Sequence, residues 1–485
     1  MKPTKILGVI RVNAWVYLTL ITGVFFAWLP LLGRSLPVAD DFAFMRLIDQ
    51  RGIAGYVHSF GFYRPLGHYL PIWIFLKNPI YHPVLVVLTH LLSAGLLFHV
   101  CQSLFGGIRL PLAAALIFAM FPFGYEAMTW VCAYNYVISV PFFLANLLLL
   151  TKHPQLDLPT PALFCLSSLL ALLTALGNES LLFATVFSGL FVWMKAPAGI
   201  FRISSLIRGR WLLSCAPLAG CVLWVVLFET FKGADLPKHI SVVHPATIFS
   251  VYYREYSLLD IFVPWFSPVT RNFVLSGWNH ATVIAITICF FLFLAGLIRM
   301  STPPERKIES KAASLRTLVS ILALLFGASL IYAIGGGFSL DSRKKYPLVI
   351  LLLQLGAWFY RVTCREHRVS PRTFLVFVTT VCGPGAMTAW LMVGIWKHET
   401  ACYTSLADFL TNQKLSGDIQ VRWNPDLNRA WPQMSRTLGY RFDDTWVLNL
   451  AVKYRGGEEV NVKSSANARS VQYHPATSAW ILGTH

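Results

Sequence analysis

Three groups of side chains have the types and the setting to act on a substrate that carries a phosphate and a hydroxyl. The first is the carboxylate set. Asp40 and Asp41 are adjacent, and in strand-like or turn geometry neighbouring carboxylates point different ways, so one can act as a general base while the other binds a metal or a helix end. The same pair also suits the N-cap of a helix over 42–52. Glu126, in FPFGYEAMTW, is flanked by apolar and aromatic residues that make its solvation hard, which favours a functional carboxylate. Glu179, in LGNES, lies in a very short turn where it either meets water or caps the next segment.

The second group is cationic. Arg64 in FYRPLGHYL and the run Arg343-Lys344-Lys345 in SLDSRKKYPL both sit at the mouths of apolar segments. Cations there can snorkel to the headgroup level. They can also bind an anion, most simply a lipid phosphate, through charge-assisted hydrogen bonds. The third group is histidine. His68, His90, His244 and His280 are dispersed without HExxH spacing, which argues against a zinc site.

The elements that must position these residues are apolar. The chain is 56% hydrophobic and 13% charged with mean hydropathy +0.58, far outside the soluble globular range. Eleven spans are expected, near 13–33, 80–100, 108–123, 136–151, 161–177, 180–195, 211–230, 280–299, 317–335, 346–361 and 373–396. Several fall short of the ~20 residues that cross a bilayer, so they are expected to tilt, kink or lie within the bundle. The first is too long for a signal-peptide core and reads as an anchor.

Basic residues recur on every second connection: Lys2, Lys5 and Arg11; Lys195, Arg202, Arg208 and Arg210; Arg299 to Arg316; Arg361 to Arg372. The positive-inside bias makes these cytoplasmic, with a cytoplasmic N-terminus and external connections at 34–78, 229–280 and 397–485. The Arg343-Lys344-Lys345 run, on the external side, breaks that bias. The net charge of +18 follows from topology and anionic lipid, with no nucleic-acid partner needed. Neither a Walker A pattern nor a dinucleotide glycine fingerprint is present, which argues against a nucleotide-driven pump. The nine cysteines lie mostly inside apolar segments without a CxxC and read as small core residues.

The first external connection has structure of its own. Residues 42–57 suit an amphipathic helix on the membrane surface, with Phe42, Met45, Leu47, Ile48, Ile53 and Tyr56 among Arg46, Asp49 and Arg51. Leu66 to Leu76 is apolar but too short to span, and is expected to re-enter or lie at the interface. The tail changes character. Residues 400–412 suit a helix, and 445–454, Arg455-Gly456-Gly457 and 458–463 read as a β-hairpin with a glycine turn. The expected fold is an all-α polytopic membrane bundle over 1–396 with external interfacial helices, followed by a small external α+β module over 397–485.

External carboxylates and external phosphate-binding cations imply a donor that arrives through the bilayer, because nucleotide-activated donors are cytoplasmic. A polyprenyl-phosphate sugar is such a donor. Its phosphate leaves, so cations must stabilise the growing charge while a carboxylate takes the acceptor's proton.

These residues resemble the GT-C superfamily of membrane glycosyltransferases, which includes the protein O-mannosyltransferases and the lipid A aminoarabinose transferases. That superfamily carries an acidic pair after its first span, here Val38-Ala39-Asp40-Asp41-Phe42. The closer similarity is to the transmembrane-and-tetratricopeptide O-mannosyltransferases and their bacterial relatives. Tyr63-Arg64-Pro65-Leu66 matches their YRPL element, LTHLL with His90 their next span, PFGYEA with Glu126 their proline-to-TEA stretch, and SRKKYP (342–347) their late arginine-tyrosine-proline element. The similarity covers about 1–160 and more loosely 330–360; over 200–320 it is one of hydropathy. Tetratricopeptide repeats are absent after the last span, and Tyr134-Asn135 stands near where the family has an arginine.

The resemblance implies a hexosyl- or pentosyltransferase of the plasma (inner) membrane, working on its external, periplasmic face with inversion. Asp40 or Asp41 would be the base, Glu126 a second acidic residue on acceptor or metal, and Arg64, Arg343, Lys344 and Lys345 the donor-phosphate site. Tyr63, His68, Asn135, Glu179 and His280 would be lesser substrate contacts. The acceptor would be a glycan, a lipid or a protein. Some members use a divalent cation, Mg or Mn, and others none. Two other classes compete. A lipid-linked saccharide flippase predicts internal repeats and charges lining a mid-membrane cavity, neither of which the sequence contains. A polymer ligase or acyltransferase predicts a catalytic histidine at a span entrance, which His280 in GWNHA satisfies.

The topology is testable by fusion. A reporter placed after Lys397 is expected to be external and one after Arg316 cytoplasmic; the same side for both would refute the eleven-span arrangement.

Overall fold

The computed structural model describes residues 3–33, 37, 40–120, 125–193, 205–233, 311–334, 342–363, 371–422, 445–462, 469–474 and 479–482. They form a helical multi-pass bundle with a small sheet at its C-terminal end. Among the described residues five helices are long and apolar enough to cross a membrane: Ala14–Leu31, Tyr81–Phe105, Tyr134–Gln155, Thr160–Gly177 and Gly209–Thr230. Helical closure of every backbone hydrogen bond is what lets such apolar runs exist in lipid.

The first long helix is α1 (Pro3–Trp28), and the segment after it is α2 (Asp40–Phe60). Next come a π-helical turn (Pro65–Tyr69) and α3 (Leu70–Lys77), then α4 (Tyr81–Phe105), α5 (Arg109–Met120), α6 (Tyr125–Thr129), α7 (Tyr134–Lys152) and α8 (Thr160–Gly177). A 3-10 turn (Glu179–Leu181), α9 (Leu182–Phe187) and a further 3-10 stretch (Ser188–Trp193) lead to α10 (Ser205–Thr230). The later helices are α11 (Lys311–Ile334), α12 (Ser342–Thr363) and α13 (Pro371–Asn412). The expected spans at 108–123, 180–195, 317–335 and 346–361 correspond to shorter apolar helices, and that at 373–396 lies inside α13. The span at 280–299 falls outside the described residues.

Burial sorts the helices. The α7 span is 78% buried, whereas those of α8 and α10 are 33% buried, so α7 is central and the other two present a face outward. Helix α5 has 12 residues, about 18 Å at 1.5 Å per residue, too short to span. It lies between α1, α4, α12 and α13. Polar side chains join helices where the bundle is otherwise apolar. Asn146 of α7 accepts from Ser167 Oγ of α8 at 2.7 Å and donates to Ser188 Oγ at 3.0 Å. Trp28 Nε1 donates to Ala119 O of α5 at 2.9 Å.

The segment 42–57 is helical as expected, with Phe42, Met45, Ile48 and Tyr56 buried. Two details differ. Helix α2 breaks at Gly52 (φ 59°, ψ −155°), which turns the residues beyond it, so Ile53 is 58% exposed rather than on the apolar face. At Phe42, moreover, that face is covered by the chain's own tail through Tyr403 and Tyr454, not by lipid.

The tail corrects another expectation. Residues 445–454 form a helix, α14 (Thr445–Tyr454), not the first strand of a hairpin. Its buried residues Leu448, Ala451 and Val452 follow the spacing of one helical face. The strands β1 (Gly417–Arg422), β2 (Val460–Val462), β3 (Arg469–His474) and β4 (Ala479–Leu482) form one sheet in the order β2-β1-β3-β4. β1 pairs in parallel with β2 (Ile419 opposite Val462) and with β3 (Ile419 opposite Arg469), and β3 pairs antiparallel with β4. α14 lies on the crossover that a parallel β1–β2 pair requires.

Helices α8 and α10 touch backbone to backbone. A Cβ at Gly220 would lie 2.1 Å from Ser168 O, while one at Gly95 would meet nothing. Gly220→Ala is therefore expected to lower the thermal midpoint in detergent, by overpacking worth about 1–3 kcal/mol. Gly95→Ala should leave the midpoint unchanged or raise it.

Candidate active site

The π-helical turn begins on a strained residue. Arg64 precedes a proline, which disfavours the helical regions, yet it is left-handed at φ 48°, ψ 48°. Its carbonyl accepts from the amides of Gly67 (3.0 Å) and His68 (2.8 Å). Such a residue persists only where its surroundings over-determine it, and here the side chain is held twice. Arg64 Nε donates to Glu179 Oε2 at 2.6 Å and Nη2 donates to Oε1. The guanidinium also lies 4.6 Å over the Tyr63 ring, and Tyr63 Oη donates to Glu179 Oε1 at 3.4 Å. Tyr56 Oη donates to Tyr63 O at 2.5 Å, tying α2 to the same turn.

Glu179 is aimed by its neighbour. Asn178 Oδ1 accepts from Ser180 N at 2.8 Å and starts the 3-10 turn, as a capping residue does. The two charged side chains are 16% and 20% exposed, so each depends on the other. Burial pushes the Glu179 carboxyl up, but Arg64 and its hydrogen bonds outweigh burial and hold it below the usual carboxylate range. Burial likewise pulls Arg64 down, and Glu179 more than restores it. Tyr63 is raised, first by burial and then by the Glu179 charge over the opposing pull of Arg64.

His68 follows in the same turn, buried, with Nε2 2.8 Å from Asn135 Nδ2. Gly67 permits that approach: a Cβ there would lie 2.2 Å from Asn135 Cβ and 2.5 Å from Gly177 O. Asn135 Oδ1, Asn178 Nδ2 and Ser180 Oγ are buried without a hydrogen-bond partner among the described residues.

Asp41 is fully buried, and its Oδ1 accepts from Cys132 N at 2.8 Å. The carboxylate therefore fastens α2 to the turn between α6 and α7. Asp40 is the first residue of α2. Glu126 lies on α6, which packs against α4, α7, α12 and α13. Arg343, Lys344 and Lys345 occupy the first turn of α12, and the next residue, Tyr346, reaches into the bundle. His90 Nδ1 lies 2.7 Å from Tyr346 Oη and Nε2 lies 3.1 Å from Ala119 O. A carbonyl only accepts, so Nε2 carries the proton, and Nδ1 accepts from the tyrosine hydroxyl.

Arg64 and Glu179 thus meet as one unit. Asp41 and the α6 segment are joined through Cys132, and α12 starts beside α6. The 179–181 turn also packs on α12 and α7. His280 falls outside the described residues. Among the described residues no three His, Cys, Asp or Glu side chains gather as a metal-ligand set. The roles of Cys132 and Tyr346 as tethers leave no mark in sequence. Glu179 did leave one: a lone carboxylate in an apolar stretch needs a counter-charge, and Arg64 is an isolated cation of the right kind.

No protein-family model matches the chain, and no curated protein matches it. Among solved structures it is similar to ArnT from Cupriavidus metallidurans. Against the crystal structure bound to undecaprenyl phosphate the identity is 11% and the TM-score 0.45, over 96% of this chain and 94% of that one. Against the apo state they are 13% and 0.39 over the same shares.

The pair makes a pH-dependent contribution with a definite sign. The Glu179 pKa is depressed in the fold, so its stabilisation is present above the unfolded value of about 4.3 and is lost as pH falls through the folded value. Glu179→Gln is expected to destabilise at neutral pH by about 2–3 kcal/mol, less than the about 3–5 of a fully buried pair. It should also flatten the acid limb of thermal stability measured from pH 7 to 3. A steep acid limb left intact in the variant would show that the pair is not its source.

Proposed function

We propose that this chain is an integral-membrane glycosyltransferase of GT-C type, which moves a sugar from a polyprenyl-phosphate donor to an acceptor on the external face of the inner membrane. The observation that carries this reading is the assembly at one end of the bundle. Four sequence elements similar to those of the O-mannosyltransferases, far apart in the chain, are each fastened into the bundle by polar contacts. The acidic pair is fastened through Asp41 to the Cys132 amide in the turn that follows the Glu126 helix, and the SRKKYP helix is anchored to α4 through Tyr346 and His90. The YRPL turn is locked to the 179–181 turn through Arg64 and Glu179.

In the proposed step the acceptor hydroxyl oxygen attacks the anomeric carbon and gives its proton to a carboxylate. The bond from that carbon to the phosphate oxygen breaks, and polyprenyl phosphate leaves as the anion. One displacement without a covalent intermediate inverts the configuration. Asp40 is the better base, because Asp41 is buried on the Cys132 amide. Arg64 gives Nε and Nη2 to Glu179, and its remaining N–H groups suit a phosphate oxygen. Arg343, Lys344 and Lys345 would supply the rest of the charge. Asn135 Oδ1, Asn178 Nδ2 and Ser180 Oγ have hydrogen-bonding capacity unused among the described residues, which suits a polyhydroxylated ligand.

Purified protein is tested with labelled polyprenyl-phosphate sugars by following release of polyprenyl phosphate. Asp40→Asn is expected to lower turnover by ~10²–10⁴-fold, the usual worth of a general base, with donor binding retained. Arg343→Gln is expected to weaken donor binding by about 1.5–3 kcal/mol. Full turnover in Asp40→Asn would remove Asp40 from the chemistry, and wild-type donor affinity in Arg343→Gln would remove the phosphate site.

A further inference from the structure

The C-terminal module touches the bundle at a specific place. Phe42, 1% exposed, directly follows Asp41 on α2. Its ring lies 6.5 Å from that of Tyr403 on α13 and 5.7 Å from that of Tyr454, the last residue of α14. The Arg455 guanidinium lies 5.2 Å over the same ring, within the range of a cation–π contact. Arg455 is itself held from two sides: Nε donates to the Asp408 carboxylate of α13, and Nη1 donates to Ala451 O at 3.1 Å. Its side chain is 17% exposed, against 52% for Asp408. The ring that is gripped is thus one residue from the carboxylate that holds the Cys132 amide.

From this we infer that the C-terminal module is a clamp on the first turn of α2, with Arg455 and Asp408 as positioning residues that set the acidic pair against the α6–α7 turn. A helix transmits such a grip directly, since adjacent residues are separated by a fixed rise of about 1.5 Å and a fixed rotation. Fixing the Phe42 ring therefore fixes where Asp40 and Asp41 stand. The inference rests on the proposed function for its catalytic consequence, but its structural half stands without it.

The test uses the full chain in nanodiscs, with Arg455→Gln, Arg455→Lys and Asp408→Asn. Hydrogen exchange is followed in peptides covering 40–48 and 130–136, with α8 (160–177) as reference. Both Arg455→Gln and Asp408→Asn are expected to speed exchange at 40–48 and 130–136 about tenfold, with the reference unchanged and Arg455→Lys intermediate. Turnover is expected to fall about tenfold in parallel, at an unchanged KM for the lipid donor. Unaltered exchange in both peptides for both variants would overturn the clamp. Faster local exchange with wild-type turnover would overturn the positioning role. Should Arg455→Gln loosen the whole chain, Asp408→Asn decides by the same peptides, since its side chain is half-exposed and its removal leaves Arg455 in place. Local loosening in a protein whose wild type never uses a polyprenyl-phosphate sugar would uphold the clamp and reject the glycosyltransferase.

Discussion

A guanidinium set largely out of water in an apolar bundle needs a counter-charge. Arg64 finds it in Glu179, 115 residues away in the chain. Joining them forces the π-helical turn against α7 and α8, and that turn in turn brings Tyr63, His68 and Asn135 together. The strain of a left-handed arginine before a proline is tolerable only because two hydrogen bonds and an aromatic face hold its far end. Arg64 is thus a strut between its own turn and the 179–181 turn. Deleting its partner would leave a charge with nowhere to go, a heavier penalty than losing a hydrogen bond between neutral groups.

The same logic recurs at lower charge. His90 is fully engaged, one ring nitrogen on Ala119 O and the other on Tyr346. Each group alone would be an unsatisfied polar atom in an apolar interior. Asp41 does likewise for the Cys132 amide, which begins a turn that no helix supplies with an acceptor. These polar contacts join α4 to α5 and α12, and α2 to the turn between α6 and α7, while the apolar surface between them provides the bulk of the cohesion without choosing a register.

Much of this was readable in the residues. Hydropathy placed the apolar spans within α1, α4, α7, α8 and α10 closely, because a run of apolar side chains in lipid has one solution, though α1 and α10 each begin several residues before the expected span. Shorter segments such as 109–120 were also visible as apolar, and their brevity follows from burial on all sides. What could not be read was pairing. His90 and Tyr346 are 256 residues apart, and nothing local in either selects the other. Asp41 had two readings, base or cap; it does act on a backbone amide, but one 91 residues away rather than in its own helix. The stretch TWVLNLAVKY shows the opposite failure. Its valines and aromatic residues suit a strand, and the helix is selected by burial of Leu448, Ala451 and Val452 as it packs on α2, α13 and β2.

Helix α13 runs unbroken through 42 residues from Pro371 to Asn412, about 63 Å at the usual rise and close to twice the hydrocarbon thickness of a bilayer. One rod therefore contains both the segment that lipid surrounds and Asp408, which grips Arg455. A helix converts angle into displacement: leaning one of this length by about 5° about one end carries the other sideways by roughly 5 Å where it does not bend. Hydrophobic thickness is one of the forces that set such a lean. In this molecule the thickness of the surrounding lipid thus has a line through a single helix to the sheet, and Gly383-Pro384-Gly385, where proline removes a backbone hydrogen bond, is the point at which that helix can bend.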